Sequence, residues 1–210
     1  MPSFDVFSIG HSNIPEERFL ALLRDADVNL VADVRTVPYS RFFPWFSQKK
    51  LTASLSAAGI GYAVMGDALG GRPRDDSLYR HGVADYEAMA AGPEYHAGLG
   101  SLLDAAARSR VCVMCAEREP LDCHRCLLVA RSLAERGLAV GHIHHDGAVE
   151  PHAATEQRLL ALDGQSDGQG CDDLFASGQQ ERLAAAYGRR AHAVAFRRKT
   201  PTPRAVLEPH

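Results

Sequence analysis

An α/β fold of the Rossmann-like, three-layer kind, built on a mostly parallel sheet of about five strands, follows from three observations. Short β-prone runs alternate with stretches of helical periodicity from residue 3 to residue 162. Such alternation implies right-handed βαβ units and a parallel sheet covered on both faces. The helical stretches repeat their apolar residues at three- and four-residue spacing, as in Phe19, Leu22 and Leu23 or Leu127, Leu128 and Leu133. The strand candidates, Val111 to Met114 above all, are short apolar runs of the kind that a buried sheet requires.

In chain order, Phe4 to Ile9 is the first strand, broken by Gly10-His11-Ser12-Asn13. Pro15 suits the first turn of the helix that Phe19, Leu22 and Leu23 continue. Asn29 to Val34 is a second strand, and Gln48 to Ala58 a helix stopped by Gly59. Tyr62 to Met65 is a third strand, followed by a long polar segment from Gly66 to Gly82. Val83 to Arg108 is expected to be mostly helical, interrupted near Gly92-Pro93 and again at Gly98 and Gly100. Arg110 to Met114 is the fourth strand. A helix from Cys123 to Arg136, ended by Gly137, leads to a fifth strand at Leu138 to Ile143 and a last helix at Ala153 to Leu162.

This places one domain at 3–162. Residues 163–172 read as a polar, Gly-rich flexible linker that includes an unremarkable Cys171. Residues 173–210 form a basic C-terminal extension, with a short helix near Glu181 to Tyr187 and a strand at Ala193 to Phe196. From Arg182 to Arg204 it carries seven Arg or Lys and no Asp or Glu.

The totals are those of a globular protein. With 46% hydrophobic residues among 210 there is enough apolar surface for one good core, and a net charge of -3 gives no bulk attraction to nucleic acid or anionic membrane. No stretch approaches the roughly 20 apolar residues of a membrane span, and the N-terminus lacks the layout of a secretory signal. Five cysteines, three of them between Cys115 and Cys126, are an odd and crowded set rather than a disulfide framework. A reducing, cytoplasmic setting is expected.

In open parallel sheets ligands bind outside the carboxyl ends of the strands, and here each exit carries polar chemistry. The first releases Gly10, His11 and Ser12, the second Asp33 and Arg35, and the third the loop with Gly70, Gly71 and Arg72. The fourth releases Cys115 and Glu117, the fifth His142, His144, His145 and Asp146. Gly10-His11-Ser12 is too short for a dinucleotide fingerprint but can offer amides to an anion. Asp33 and Arg35 lie on one side of an extended chain, where they either pair with each other or leave the Arg35 fork for a phosphate or carboxylate. The aromatic run Tyr39 to Phe46 either stacks on a ligand ring or packs a helix.

Reactive groups are densest at the fourth exit. Pro120 stiffens the turn, and Asp122 is a good N-cap, which would put Cys123, His124 and Arg125 in the first helical positions. Free amides and the positive helix end there welcome an anion and lower a thiol's pKa. Cys123 or Cys115 is therefore a candidate nucleophile, with Glu117 and His124 for proton transfer and Arg125 for anion binding. Zinc is the competing chemistry: Cys115, Cys123 and Cys126 with a histidine could hold it, and Cys123-x-x-Cys126 has knuckle spacing. Cys115-Ala116-Glu117-Arg118 also looks like a cytidine deaminase signature. Here, however, the pair follows a strand and the next cysteine comes at Cys123, leaving no room for the two helix starts of that family. Cys112, inside the strand, reads as a core thiol.

Several of these motifs together resemble a bacterial and archaeal family catalogued as domain of unknown function 488. They are Ser8-Ile9-Gly10-His11-Ser12, Asp33-Val34-Arg35 with Pro38 and Ser40, Leu69-Gly70-Gly71, Tyr86, Cys115-Ala116-Glu117 with Cys123-His124-Arg125, and His142-Ile143. The tail, in Asp173-Leu174-Phe175 and Ala186-Tyr187, looks like one branch of that family. The resemblance implies a Rossmann-like fold with this cluster as the site, adds Ser40 to the ligand-binding candidates, and brings no established reaction. The expectation is an enzyme acting without a cofactor on a small anionic, phosphate-bearing or nucleotide-like ligand. The alternatives are a non-catalytic nucleotide- or nucleic-acid-binding protein, contacting nucleic acid through its basic tail, and a zinc protein.

Overall fold

The computed structural model describes residues 3–167 and 176–198. Its elements are β1 (Val6–Gly10), α1 (Glu16–Asp25), β2 (Leu30–Asp33), α2 (Gln48–Ala57), β3 (Gly61–Val64), α3 (Gly66–Leu69), β4 (Tyr79–Arg80), β5 (Val83–Ala84), α4 (Tyr86–Ala90), α5 (Pro93–Ala106), β6 (Val111–Cys115), α6 (Arg131–Ala134), β7 (Val140–Ile143), β8 (Val149–Pro151), α7 (His152–Asp167) and α8 (Ala176–Val194). The main sheet has six strands in the order β3-β2-β6-β1-β7-β8, all parallel except β8, and β4 and β5 form a separate antiparallel pair. It is a mostly parallel sheet flanked by helices, as the alternating pattern predicts.

The order of the strands divides the core in two. Period-two alternation sends Phe7 and Ile9 of β1, Val31 of β2, and Cys112 and Met114 of β6 to one face, against Phe19, Leu22 and Leu23 of α1 and Leu51 and Leu55 of α2. Val6, Ala32, Val111, Val113 and Cys115 point to the other, against α5, the helix after β6, α7 and α8. The chain leaves β1 toward β2 and leaves β6 toward β7, in opposite directions across the sheet. The reversal falls between the adjacent strands β1 and β6, the position where such sheets bind ligands. There, however, the two following loops are hydrogen-bonded to each other, and the open cleft lies to one side, over the exits of β2 and β6.

Several boundaries differ from expectation for identifiable reasons. Val83 to Arg108 is a short strand and two helices; Gly92-Pro93 does make the break, but Gly98 and Gly100 lie within α5. Gly98 serves packing there, since a Cβ would stand 2.5 Å from the Ala68 side chain. The sixth strand, β8, was not foreseen. The polar stretch from 163 is helical as far as Asp167 rather than linker, because α7 packs on α8 and Asp163 pairs with Arg189. In the tail, α8 is far longer than the helix expected at 181–187, and the strand expected at 193–196 is reduced to residues beside β5. Ala186, Tyr187 and Ala195 complete the second core face, so the extension is built into the domain. Cys171 and Asp173-Leu174-Phe175 lie outside the described residues.

Candidate functional site

Beyond the carboxyl ends of β1 and β6 the two loops continue the sheet side by side. The His11 amide donates to the Cys115 carbonyl (2.9 Å) and the Ser12 amide to that of Ala116 (2.8 Å). The chain then turns across Gly10, where a Cβ would sit 1.6 Å from the Glu117 carbonyl oxygen, so only glycine lets the Glu117 loop cross β1. From beneath, Arg125 holds this loop: its two terminal nitrogens donate to the carbonyls of Glu117 (2.5 Å) and Arg118 (2.9 Å). Arg125 is wholly buried, and its Nε has no hydrogen-bond partner. The residue expected to bind an anion instead braces the loop that carries the site.

The corner after Glu117 departs from the expected helix start. Pro120–Asp122 is a single 3-10 turn, capped by the Glu119 side chain accepting from the Leu121 amide, and Cys123 is extended. A π-helical turn, Arg125–Ala130, follows and passes into α6. Asp122 is thus no helix cap; it pairs with Arg190 of α8. Cys123 holds the capping position itself, its carbonyl accepting from Cys126 and Leu127 and its Sγ accepting from the Arg125 amide at 3.4 Å. Free amides do meet a thiol here, but the thiol is in the cap and not the first turn.

Two thiols, a carboxylate and an imidazole converge at this corner. Cys115 Sγ and Cys123 Sγ approach the same Glu117 Oε2, at 2.9 Å and 3.0 Å, and His124 Nδ1 lies 3.7 Å and 3.9 Å from them. His124 Nε2–H donates to the Val34 carbonyl (2.9 Å), which fixes Nδ1 toward the sulfurs. Burial alone would raise the Cys123 pKa, yet the Cys115 hydrogen bond and the charges of Arg125 and His124 bring it well below the ordinary thiol value. Cys115 moves the other way, through burial and then through the proton it shares with Cys123. Although Glu117 is exposed as a residue, the desolvation of its carboxyl against the two thiols, together with the Cys123 charge, raises its pKa. The two thiols are thus pushed in opposite directions, Cys123 down and Cys115 up.

Above the cluster lies an open cleft of about 400 Å³. Arg35, Arg72, Tyr86 and Phe196 stand around it, with Cys115, Glu117, Cys123 and His124 at its floor. Arg72 has no carboxylate partner among the described residues; its guanidinium lies 4.7 Å from the centre of the Phe196 ring. Arg35 is tied down: it forms a bidentate pair with buried Asp33, which also accepts from Tyr62 OH (2.6 Å), and its NH1 donates to His11 Nε2 (3.1 Å). His11 stacks on Phe46, and burial next to Arg35 lowers its pKa to about 4, so it stays neutral and accepts that bond.

The remaining candidates are distributed as follows. Gly71 touches His124 and Gly70 packs on Thr36, so this loop closes on the protein's own residues. Ser12 has a left-handed backbone (φ 44°), and its hydroxyl donates to Asn13 at 3.5 Å. Ser40 accepts from the Phe43 amide within its own loop and is not among the cleft residues. The fifth exit contributes indirectly, His145 donating to the Gly10 carbonyl (2.7 Å). Cys126 turns away from Cys123 toward His142 and His152, which rules out the Cys123-x-x-Cys126 knuckle. Tyr86 and Phe196 were not singled out as site residues. Phe196 is brought in by the tail, whose residue 196 carbonyl accepts from the Ala84 amide and whose Arg198 amide donates to Gly82. An aromatic residue some eighty positions after the cluster carries no local signal of that role.

A family model described as Domain of unknown function DUF488 matches residues 16–132, which contain β2 and β6 and the whole of the cluster. No curated protein and no solved structure matches the chain.

Proposed function

The chain belongs to the DUF488 family, a domain of unknown function, and we propose that it is an enzyme acting on a small anionic ligand, phosphate-bearing or nucleotide-like, in the cleft above Cys115, Glu117, Cys123 and His124. One observation carries the reading: four reactive side chains from one strand exit converge beneath an arginine, Arg72, that has no acidic partner among the described residues. A guanidinium in that position offers paired donors to a phosphate or carboxylate. Tyr86 adds a neutral donor, since burial and the nearby Cys123 and Glu117 charges raise its pKa. Arg35, held by Asp33 and His11, presents positive charge without having to move. The ligand's electrophilic centre would then lie over the Cys123 sulfur, with Glu117 and His124 beside it for proton transfer.

A nucleic-acid role for the tail has less support, because Arg189, Arg190 and Arg198 pair with Asp163, Asp122 and Asp76 of the domain. The test is anion binding. Inorganic phosphate and a nucleoside monophosphate, titrated calorimetrically, should bind the wild-type protein saturably and the Arg72→Ala variant about tenfold or more weakly. Equal binding by both proteins, or none by the wild type, would sink the reading.

A further inference from the structure

The cluster also meets the requirements of a metal ion, an inference that rests on the cleft being the functional site. One donor atom from each of Cys115, Glu117, Cys123 and His124 falls within 4.8 Å of all the others. Zinc bonds of about 2.3 Å to sulfur and about 2.0–2.1 Å to nitrogen or oxygen give tetrahedral edges of roughly 3.5–3.8 Å. Of the two sulfur–Nδ1 separations, 3.7 Å falls in that range and 3.9 Å just beyond it, and Glu117 Oε2 at 2.9 Å and 3.0 Å needs a shift outward.

Three features beyond the donor count favour a metal here. The Val34 carbonyl holds His124 Nε2–H, the outer hydrogen bond that orients a ligating imidazole and leaves Nδ1 to bind. The Arg125 amide donates to Cys123 Sγ, which suits a thiolate ligand. The charges also close: two thiolates and one carboxylate are balanced by a divalent cation and the buried Arg125 guanidinium. Two sulfurs with one imidazole and one carboxylate suit a borderline-soft ion such as zinc.

The molecule supplies its own contrast in Cys126, His142 and His152, which also lie close together. There the nitrogens are already spent: His142 bonds Ser8 Oγ (2.7 Å) and His152 (2.9 Å), and His152 bonds Tyr187 OH (3.0 Å). That group is a hydrogen-bonded core network in which every imidazole nitrogen already has a partner.

We propose that Cys115, Cys123 and His124 are the fixed ligands of a zinc ion at the cleft floor, and that Glu117 is an exchangeable fourth. Cys115, Cys123 and His124 are buried, whereas Glu117 is exposed. An anionic ligand entering beneath Arg72 displaces the carboxylate and binds the ion through an oxygen. Zinc binding releases the thiol protons to solvent, and in this state the sulfurs serve as ligands.

The test uses the full chain purified without chelator. Elemental analysis should find about one equivalent of zinc, and X-ray absorption should resolve two sulfur neighbours with nitrogen or oxygen. Cobalt(II) exchanged into the site should give thiolate charge-transfer bands and a tetrahedral visible spectrum. Cys115→Ser and Cys123→Ser should lose the ion, while Cys126→Ser keeps it. If the cysteine variants fail to fold, the wild-type absorption spectrum decides alone: one sulfur with two imidazoles would identify the Cys126 group and overturn the proposal. Protein without zinc that develops no cobalt bands on reconstitution also overturns it, even where phosphate binding still depends on Arg72. Zinc present with no phosphate binding would instead leave the metal site standing and remove the function proposed for the cleft.

Discussion

The α-carbon of Gly71 rests against the imidazole of His124, so closely that a Cβ there would stand 2.8 Å from the ring. The ring is held on its other edge by the Val34 carbonyl, and any group added at 71 must push it off that bond. Gly71→Ala is therefore expected to rotate or displace His124 with little loss of core. Metal affinity should fall by ~10–100-fold, the usual effect of disturbing an imidazole's outer support. Competition with a chromophoric chelator measures it, and wild-type affinity would show the contact to be slack.

Arg35 depends on Asp33 in a buried site. Asp33→Asn removes the only carboxylate on that guanidinium among the described residues and leaves a cation with little solvent access. A destabilisation of about 3–5 kcal/mol is expected in urea unfolding. Tyr62→Phe, which removes one bond to the same carboxylate, should cost only about 1 kcal/mol. Similar losses for the two variants would mean that the ion pair is not what holds Arg35.

Acid should weaken the fold through His142 and His152. Burial lowers the His152 pKa to about 4 from an ordinary 6.5, and burial with the His152, Arg125, His144 and Arg158 charges holds His142 well below its usual value. Around them lie Ser8, Cys126, Tyr187, Glu150 and Glu156, too few anions to favour imidazolium. Both histidines are neutral when folded and take up protons more readily when unfolded. Their stabilisation is complete above pH 6.5 and is lost as pH falls toward 4. Melting temperature should drop over that window, and His152→Gln should flatten the drop. An unchanged acid limb in the variant would place the effect elsewhere.

Phe196 should matter to the cleft more than to the fold. Phe196 is 36% exposed and contributes mainly a face for Arg72. Phe196→Ala removes a cation–π contact worth about 0.5–1 kcal/mol, so phosphate binding should weaken by roughly two- to fivefold with little change in melting temperature. A large fall in stability with unaltered binding would reverse that assignment.

Among the cysteines of the described residues, reactivity should be ordered. Burial pushes the Cys112 and Cys126 thiols up, whereas Cys123 is held low beside Arg125 and His124. After chelator treatment at neutral pH, alkylation followed by peptide mass mapping should find Cys123 modified first and Cys112 last. Early labelling of Cys112 would contradict the packing of β6.

The fold class and the cluster were legible in the sequence because both depend on local order. Alternating strand and helix patterns set the layers, and Cys115, Glu117, Cys123 and His124 are so close along the chain that one turn brings them together. The cleft was legible in part, since residues leaving a parallel strand must emerge at its carboxyl end: the second, third and fourth exits line it, whereas the first and fifth do not. Roles were harder to read. Arg72 and Arg125 are the same residue type in comparable settings, yet one faces the cleft and the other is buried under two carbonyls. Asp122 has the composition of a helix cap, but its partner is Arg190, far along the chain.

What the sequence by itself determined is therefore the α/β class, the five parallel strands of the main sheet and the reactive groups that follow the fourth of them. Tertiary structure alone decided that Cys126 leaves the cluster, which arginine is available, and that the tail forms part of the cleft wall. The physical reason is that charge and burial depend on neighbours distant in sequence: Val34 orients His124, Gly71 confines it, and Phe196 faces Arg72. The π-helical turn is the clearest case: it puts Cys126 and Cys123 in separate clusters although three positions separate them in the chain.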